Sequence, residues 1–374
     1  SAADFTHPLW FAELKEKLEL AENGLYKLKP EIEKSLHGEV PTSCRTPTFF
    51  ILTSEINCIF SKNGRTRKVH NLVFAPNLDT VQKINHRLGA ISNLRSDGRP
   101  ILNLECKFLL KMIRDISPQC ALVPAHIWTP HFSIFGSNSG FNTLRECFEE
   151  LTSHIFAVET GLSSDPEMNW RVPTLDNVTL ISNSDAHSLT KIGRECNIFS
   201  TYLSYDGILT ALKKDDMREG EKLAMTIEFF PEEGKYHVDG HIDCGIGMKP
   251  SETIKNNRLC TKCGKPVTIG VLHRVEELAQ RPEGYRPDTA QAFKKMVPLA
   301  EIIGEAFGIS PESATVLNEY LNLISHFGNE IKILLRVPLH EFHNITHPLV
   351  IEGIKRVRDD KIFIESGFDG QFGK

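Results

Sequence analysis

Asp185 and His187, in the stretch Asn183-Ser184-Asp185-Ala186-His187, carry residue types and a spacing suited to chemistry. They follow the apolar run Val178-Thr179-Leu180-Ile181, which reads as a buried strand. Alternation along a strand points residues i and i+2 to one face, so the carboxylate and the imidazole would converge at its carboxyl end. Such a pair is metal-ligand or acid–base material. Taken alone, a strand-end turn that happens to carry an Asp and a His is the plainer reading.

The same arrangement recurs along the chain. The run 48–52 leads to Glu55, the run 67–69 to His70, the run 121–124 to His126 and the run 155–158 to Glu159. Helix-like segments at 8–20, 80–89, 104–115, 141–153 and 205–213 lie between them. Pro8 suits a first helical position, and Trp10, Leu14 and Leu18 recur at helical spacing. Strands alternating with helices argue for an α/β domain with a parallel sheet, and barrels of that class gather their chemistry at the strands' carboxyl ends.

A second signal is Cys260-Thr261-Lys262-Cys263-Gly264, with His241-Ile242-Asp243-Cys244 upstream. His241, Cys244, Cys260 and Cys263 make a four-ligand set of structural-zinc type, with His237 and His273 as rivals for the nitrogen position. Coincidental cysteines in loops are the weaker alternative, because the paired spacing appears twice. A redox role is weaker too, since no thioredoxin-like context surrounds the pair. Residues 226–285 read as a small module that the metal helps to fold. Beyond it, 289–307 and 310–334 carry apolar residues at helical spacing, and a basic cluster spans 353–361.

Composition sets the outer limits. With 374 residues, the chain can bury a large core and form more than one domain. Its 40% hydrophobic and 24% charged content is ordinary for a globular protein. The sequence offers no membrane span, no signal peptide, and neither a P-loop nor a dinucleotide fingerprint, so neither a membrane protein nor a nucleotide-driven motor is expected. Nine scattered cysteines suggest a reducing, cytoplasmic compartment. A net charge of −5 confines any polyanion contact to local basic patches.

The series Glu55, His70, His126 and Asp185-Ala186-His187 resembles the polymerase-and-histidinol-phosphatase (PHP) phosphoesterase domain, a distorted (β/α)7 barrel that binds up to three metals. The endonuclease Q family is the closer resemblance, because it has the same order of PHP barrel, zinc module and helical tail. The fitting stretches are Asp4-Phe5-Thr6-His7-Pro8, Pro124-Ala125-His126 through Thr129-Pro130-His131, and Glu159-Thr160-Gly161-Leu162-Ser163. Residues 182–187 and 268–278 fit as well. The resemblance implies an α/β fold with a PHP domain over 1–225, a zinc-binding module over 226–285 and a mainly helical domain over 286–374. It also implies a hydrolase that nicks DNA 5′ of a deaminated or abasic nucleotide. One departure stands out: a PHP domain opens with a His-x-His strand, and no such pair precedes Asp4 here.

Carried over residue by residue, the resemblance gives Glu55 the role of bridging two metals, with His70 and His126 completing the second. Asp185 would bind the first metal, and His7 and His187 a third. Asp4 would orient a ligand from behind. The cofactors implied are two or three divalent metals (zinc, manganese or magnesium) in the barrel and one structural zinc. His131 is open between ligand neighbour, general acid and plain polar residue, and so is Glu159. DNA contacts are expected at Lys62, Arg65, Arg67 and Lys68, in a hairpin before His70, and at Lys262, Lys265, His273 and Arg274 on the zinc module. Surface charge is the bland alternative for each. The aromatic loop 128–136, with Phe132 and Phe135, is expected to line a recess for an extruded base. Two other functions stay open: a phosphoesterase acting on a small phosphate ester, and a DNA-binding protein without activity.

Overall fold

The computed structural model describes residues 4–96, 99–214 and 220–374. Pro8 occupies the first turn of α1 (Pro8–Lys17), with His7 as its N-cap. The helix stops before residue 20 because β1 (Leu18–Leu20) pairs antiparallel with β2 (Tyr26–Leu28). After α2 (Pro30–Leu36) comes a long hairpin of β3 (Leu52–Lys62) and β4 (Arg65–Ala75). Asn63 and Gly64 both have positive φ, 53° and 71°, as a two-residue hairpin turn demands.

The strands expected before Glu55 and His70 thus run straight through those residues. Thr53, Ser54, Asn57 and Asn71 are buried polar residues inside the hairpin, so its apolar pattern is broken where the strands continue. Asn77 caps α3 (Leu78–Gly89) by accepting the Thr80 amide, and β5 (Ile101–Leu102), α4 (Cys106–Ile116) and β6 (Ala121–Pro124) follow. The resulting sheet has the order β5-β3-β4-β6. It is mixed: β3 pairs antiparallel with β4 and parallel with β5, and β4 pairs antiparallel with β6. A tight turn reverses the chain with no crossover helix, so the expected all-parallel arrangement does not form here. The fold is mixed α/β, and among the described residues no closed barrel is formed.

The expected helix over 141–153 is split into α5 (Leu144–Phe148) and a 3-10 turn to His154, broken at Glu149, whose φ is 51°. Next come β7 (Ala157–Glu159), α6 (Pro166–Trp170) and β8 (Thr179–Ile181), with β7 and β8 parallel. Trp128, Phe135, Phe141 and Phe148 pack beneath the hairpin with Ile84, Leu109 and Ile113 in one core. β9 (Cys196–Ser200), α7 (Tyr205–Ala211) and β10 (Lys222–Glu228) complete this half.

Residues beyond β10 form a small module: β11 (Asp239–His241), β12 (Ile246–Met248), α8 (Pro250–Lys255) and α9 (Val271–Leu278). The chain then returns as β13 (Ala292–Lys295), parallel to β10, in a sheet ordered β13-β10-β9. A boundary between residues 225 and 226 would therefore cut β10. Three arginines dock the module. Arg274 donates to the Phe135 and Phe141 carbonyls, Arg171 pairs with Glu276, and Arg281 pairs with Asp176. The tail is helical: α10 (Leu299–Phe307), α11 (Ala314–Phe327), α12 (Glu330–Leu335) and α13 (Pro348–Arg358). Ile303, Val316, Leu323, Ile333, Phe342 and Ile354 form its core, which Ile227 joins from β10. Among the described residues no helix is long and apolar enough to cross a membrane.

Candidate metal centre

Glu55, His70 and His126 each offer a ligand atom, and these atoms lie within 4.8 Å of one another. The hairpin register explains the first two. Glu55 faces Leu72 across the ladder, and His70 lies two residues along from Leu72 on the same face. His70 Nδ1 is 2.8 Å from Glu55 Oε1, and His126 Nε2 is 3.3 Å from the same oxygen. His126 sits just past β6 with a φ of 30°. Gly161 packs against it so closely that a Cβ there would fall 2.5 Å from the His126 Cβ.

Burial raises the Glu55 carboxyl, but hydrogen bonds from His126 and His70 outweigh it and hold the group well below the usual carboxylate range. Burial lowers His70. It also opposes protonation of His126, but there the bond to Glu55 prevails and the net shift is upward. One carboxylate against two imidazoles is a donor set suited to a divalent cation such as zinc or manganese.

Behind the cluster, Glu159 is buried and its carboxyl is raised to about 7 by that burial. Its Oε2 accepts the His126 amide at 2.8 Å, and its Oε1 accepts from Asn183 at 2.7 Å. Glu159 therefore fixes the backbone carrying a candidate ligand. Thr129 Oγ1 lies 3.2 Å from His126 Nδ1, on the far side of the ring from Glu55.

Asp185 and His187 do not extend from a strand, because β8 ends at Ile181. Ser182 turns away to donate to the Ile227 carbonyl, and Asp185 takes a φ of 41°. Their proximity is a property of this loop, in which His187 Nδ1 lies 2.9 Å from the Asp185 carbonyl oxygen. Two residues that the sequence reading passed over hold the loop. Asn197 bonds Ser182 and Asn183, and Arg194 donates to the Ser184 and Asp185 carbonyls. His187 remains three-quarters exposed, beyond the Glu55 cluster.

Asp4 and His7 approach from the chain start. Phe5 is fully buried, its carbonyl accepts from Asn85, and Thr6 bonds Ser54 next to Glu55. Burial, then the nearby Glu55 charge, raises the Asp4 carboxyl, and His7, His187 and Arg99 oppose that shift. Arg99 was also missed. Its Nε donates to Glu55 Oε2 at 2.5 Å, and its Nη2 is 3.7 Å from Asp185.

The basic residues part company. Arg65 and Lys265 are exposed, and Lys68 lies over the Phe132 ring. Lys62 is instead paired with Glu105 and Glu149, while Arg67 donates to the Gly140 carbonyl and stacks on Phe141. His273, expected to meet DNA, is enclosed at 1% exposure with Nδ1 2.5 Å from Asp239. Arg274 is turned toward loop carbonyls. In the aromatic loop, Phe132 stacks on His70 with centroids 5.0 Å apart, but Phe135 packs on Trp128 in the core. His131 is exposed, beside Asn138.

On the module, His241, Cys244, Cys260 and Cys263 bring their ligand atoms within 4.8 Å of one another. Gly245 and Gly264 follow the paired ligands with positive φ of 63° and 71°. Three thiols and one imidazole make a set that fits a tetrahedral metal. Neither rival imidazole joins them.

Comparison with known proteins adds five matches. The MJ0043 C-terminal domain family matches residues 298–361. The uncharacterized protein MJ0043 of Methanocaldococcus jannaschii is 32% identical over 66% of this chain, which spans only 31% of that protein's length. The uncharacterized protein YqxK of Bacillus subtilis is 30% identical, covering 82% of this chain and 73% of its own. Among solved structures, the lesion-specific endonuclease PfuEndoQ of Pyrococcus furiosus matches with a TM-score of 0.83 and 26% identity, covering 100% of this chain and 85% of its own. Endonuclease Q in complex with a 27-mer duplex substrate bearing an abasic lesion at the active site matches at 0.82 and 26%, covering 100% and 86%.

Proposed function

This chain belongs to the family of Bacillus subtilis YqxK, and from its candidate ligand cluster and its structural likeness to endonuclease Q we propose that it is a metal-dependent DNA repair endonuclease. In this proposal it hydrolyses the phosphodiester 5′ of a deaminated or abasic nucleotide. The observation that carries it is the Glu55, His70 and His126 cluster in a fold that matches endonuclease Q along its whole length.

Glu55, His70 and His126 would hold a divalent metal, with Asp185, Asp4, His7 and His187 at its margin as candidates for further ions. Such a metal, when bound, lowers the pKa of water and stabilises charge on phosphate oxygens. The protein's own residues set the stage. Glu159 anchors the His126 backbone, and Phe132 covers one face of His70. Lys68 and Arg65 would meet flanking phosphates, and Phe132 is the aromatic side chain of its loop at hand for an extruded base. His241, Cys244, Cys260 and Cys263 would hold a structural zinc that fixes the module.

The test is to incubate the chain with manganese, magnesium or zinc and offer uracil, hypoxanthine and abasic duplexes, undamaged duplex and a generic phosphomonoester. Nicking confined to damaged DNA supports the proposal. Turnover of the phosphomonoester alone, or binding without cleavage, overturns it.

A further inference from the structure

We propose that Arg99 is the residue that grips the phosphate to be cleaved, a role that rests on the endonuclease reading and adds a substrate contact to it. The site is rich in negative charge: Glu55, Asp185 and Asp4 all act on the Arg99 guanidinium. Three carboxylates at the mouth of a site would repel a phosphodiester, and a cation among them offsets that repulsion.

Arg99 is placed to supply that cation. Its Nε donates to Glu55 Oε2, on the side of the carboxylate away from the histidines, which meet Oε1. Its Nη2 stands 3.7 Å from Asp185, an ion pair too long for a hydrogen bond. Among the described residues neither Nη atom makes a hydrogen bond, and the side chain keeps 31% of its surface exposed. One edge of the guanidinium is thus fixed by Glu55, and the other points donors outward beside the ligand cluster. A planar fork with free donors matches two oxygens of a phosphate.

Lys68, over the Phe132 ring, is left for a flanking phosphate, and three other cations are engaged elsewhere. Lys62 is held by Glu105 and Glu149, Arg67 by the Gly140 carbonyl and the Phe141 ring, and Arg194 by the carbonyls of Ser184 and Asp185. A purely structural counter-ion would bridge Glu55 and Asp185 with hydrogen bonds to both. Arg99 does so to one.

The experiment compares two abasic duplexes, one with an ordinary phosphate 5′ of the lesion and one with an uncharged methylphosphonate there, alongside an undamaged duplex. Binding is read by fluorescence anisotropy before turnover, with wild type, Arg99→Ala and Arg99→Lys. Wild type should favour the ordinary phosphate by roughly tenfold or more, the value of one charge-assisted contact. Arg99→Ala should reduce that ratio several-fold, leaving only what a bound metal contributes, and Arg99→Lys should leave an intermediate ratio, since a point charge remains without the fork. If Arg99→Ala weakens both duplexes equally and keeps the ratio, the phosphate grip is wrong and the residue is only structural. If wild type shows no preference for abasic over undamaged duplex, the endonuclease reading fails and takes this proposal with it.

Discussion

The backbone N–H of His126 donates to the side chain of Glu159 at 2.8 Å, so a buried carboxylate on one strand positions a candidate ligand that follows another. Outer groups of this kind commonly alter metal affinity by 10–100-fold when removed. Glu159→Ala should weaken manganese binding at the Glu55 cluster by roughly that factor, as read by titration calorimetry. Leaving the amide without its partner should also cost about 1–3 kcal/mol of stability. An unchanged manganese affinity would refute this role.

The four-ligand set of the module calls for a different measurement. Cys260→Ser should lower the zinc content by one ion per chain, counted by mass spectrometry of the metal. It should also expose residues 240–265 to limited proteolysis, because binding energy at such sites is folding energy. Equal zinc content in both proteins would show that the four residues hold no metal.

Phe132 and Phe135, three residues apart, should separate cleanly. Phe135 is wholly buried against Trp128, so Phe135→Ala should destabilise the fold by about 3–5 kcal/mol. Phe132 lies on the His70 ring at the site's edge, and Phe132→Ala should leave the melting temperature nearly unchanged while weakening discrimination of abasic from undamaged duplex. Lesion discrimination that survives Phe132→Ala would remove that side chain from recognition.

Hairpin lysines offer a salt-dependence test. Lys68→Ala should reduce the slope of log affinity against log salt by about one, as expected for a lost phosphate contact. Lys62→Ala should not change the slope, because Glu105 and Glu149 already hold that ammonium. Equal slopes for wild type and Lys68→Ala would exclude Lys68 as a phosphate contact.

A buried acid pair makes stability pH-dependent. Burial raises Glu228 to about 7 and, with the Glu228 charge adding to it, lifts Glu195 well above its ordinary range. A raised carboxyl binds its proton more tightly in the folded state. Its stabilising effect is therefore complete below the unfolded value near 4.5 and is lost as pH rises through about 7. Urea unfolding should show stability falling from about pH 5 to pH 8, on the order of 2–3 kcal/mol. Glu195→Gln should make that fall smaller, with the part due to Glu228 and Glu159 remaining, and a stability that climbs over the same interval would contradict the assignment.

Residue type carried much of the site in advance, and position carried little. Glu55, His70 and His126 stood out as ligands beside apolar runs, yet the structure puts the first two inside strands. The polar residues Ser54, Asn57 and Asn71 are buried there, with Ser54 bonded to Thr6 and Asn71 to Cys106, which hides the hairpin from any count of apolar alternation. Asp185 and His187 were singled out for a strand geometry they do not have. A left-handed backbone at Asp185 brings them together, and no spacing rule reveals it. Arg99 carried no signal at all, since only the folding of the segment between α3 and β5 brings it beside Glu55. The paired spacing in the module was more telling, because ligands two residues apart on a tight turn are neighbours whatever surrounds them.

β10 and β13 lie side by side and parallel, and everything from residue 229 to 291 leaves from one and returns by the other. The module is therefore a closed handle bolted to the body at both ends, and braced again by Arg171, Arg274 and Arg281. A duplex that touched both the module and the ligand cluster would be measured against a constant span, so the handle would act as a ruler that sets which phosphate along the strand comes to rest at Glu55.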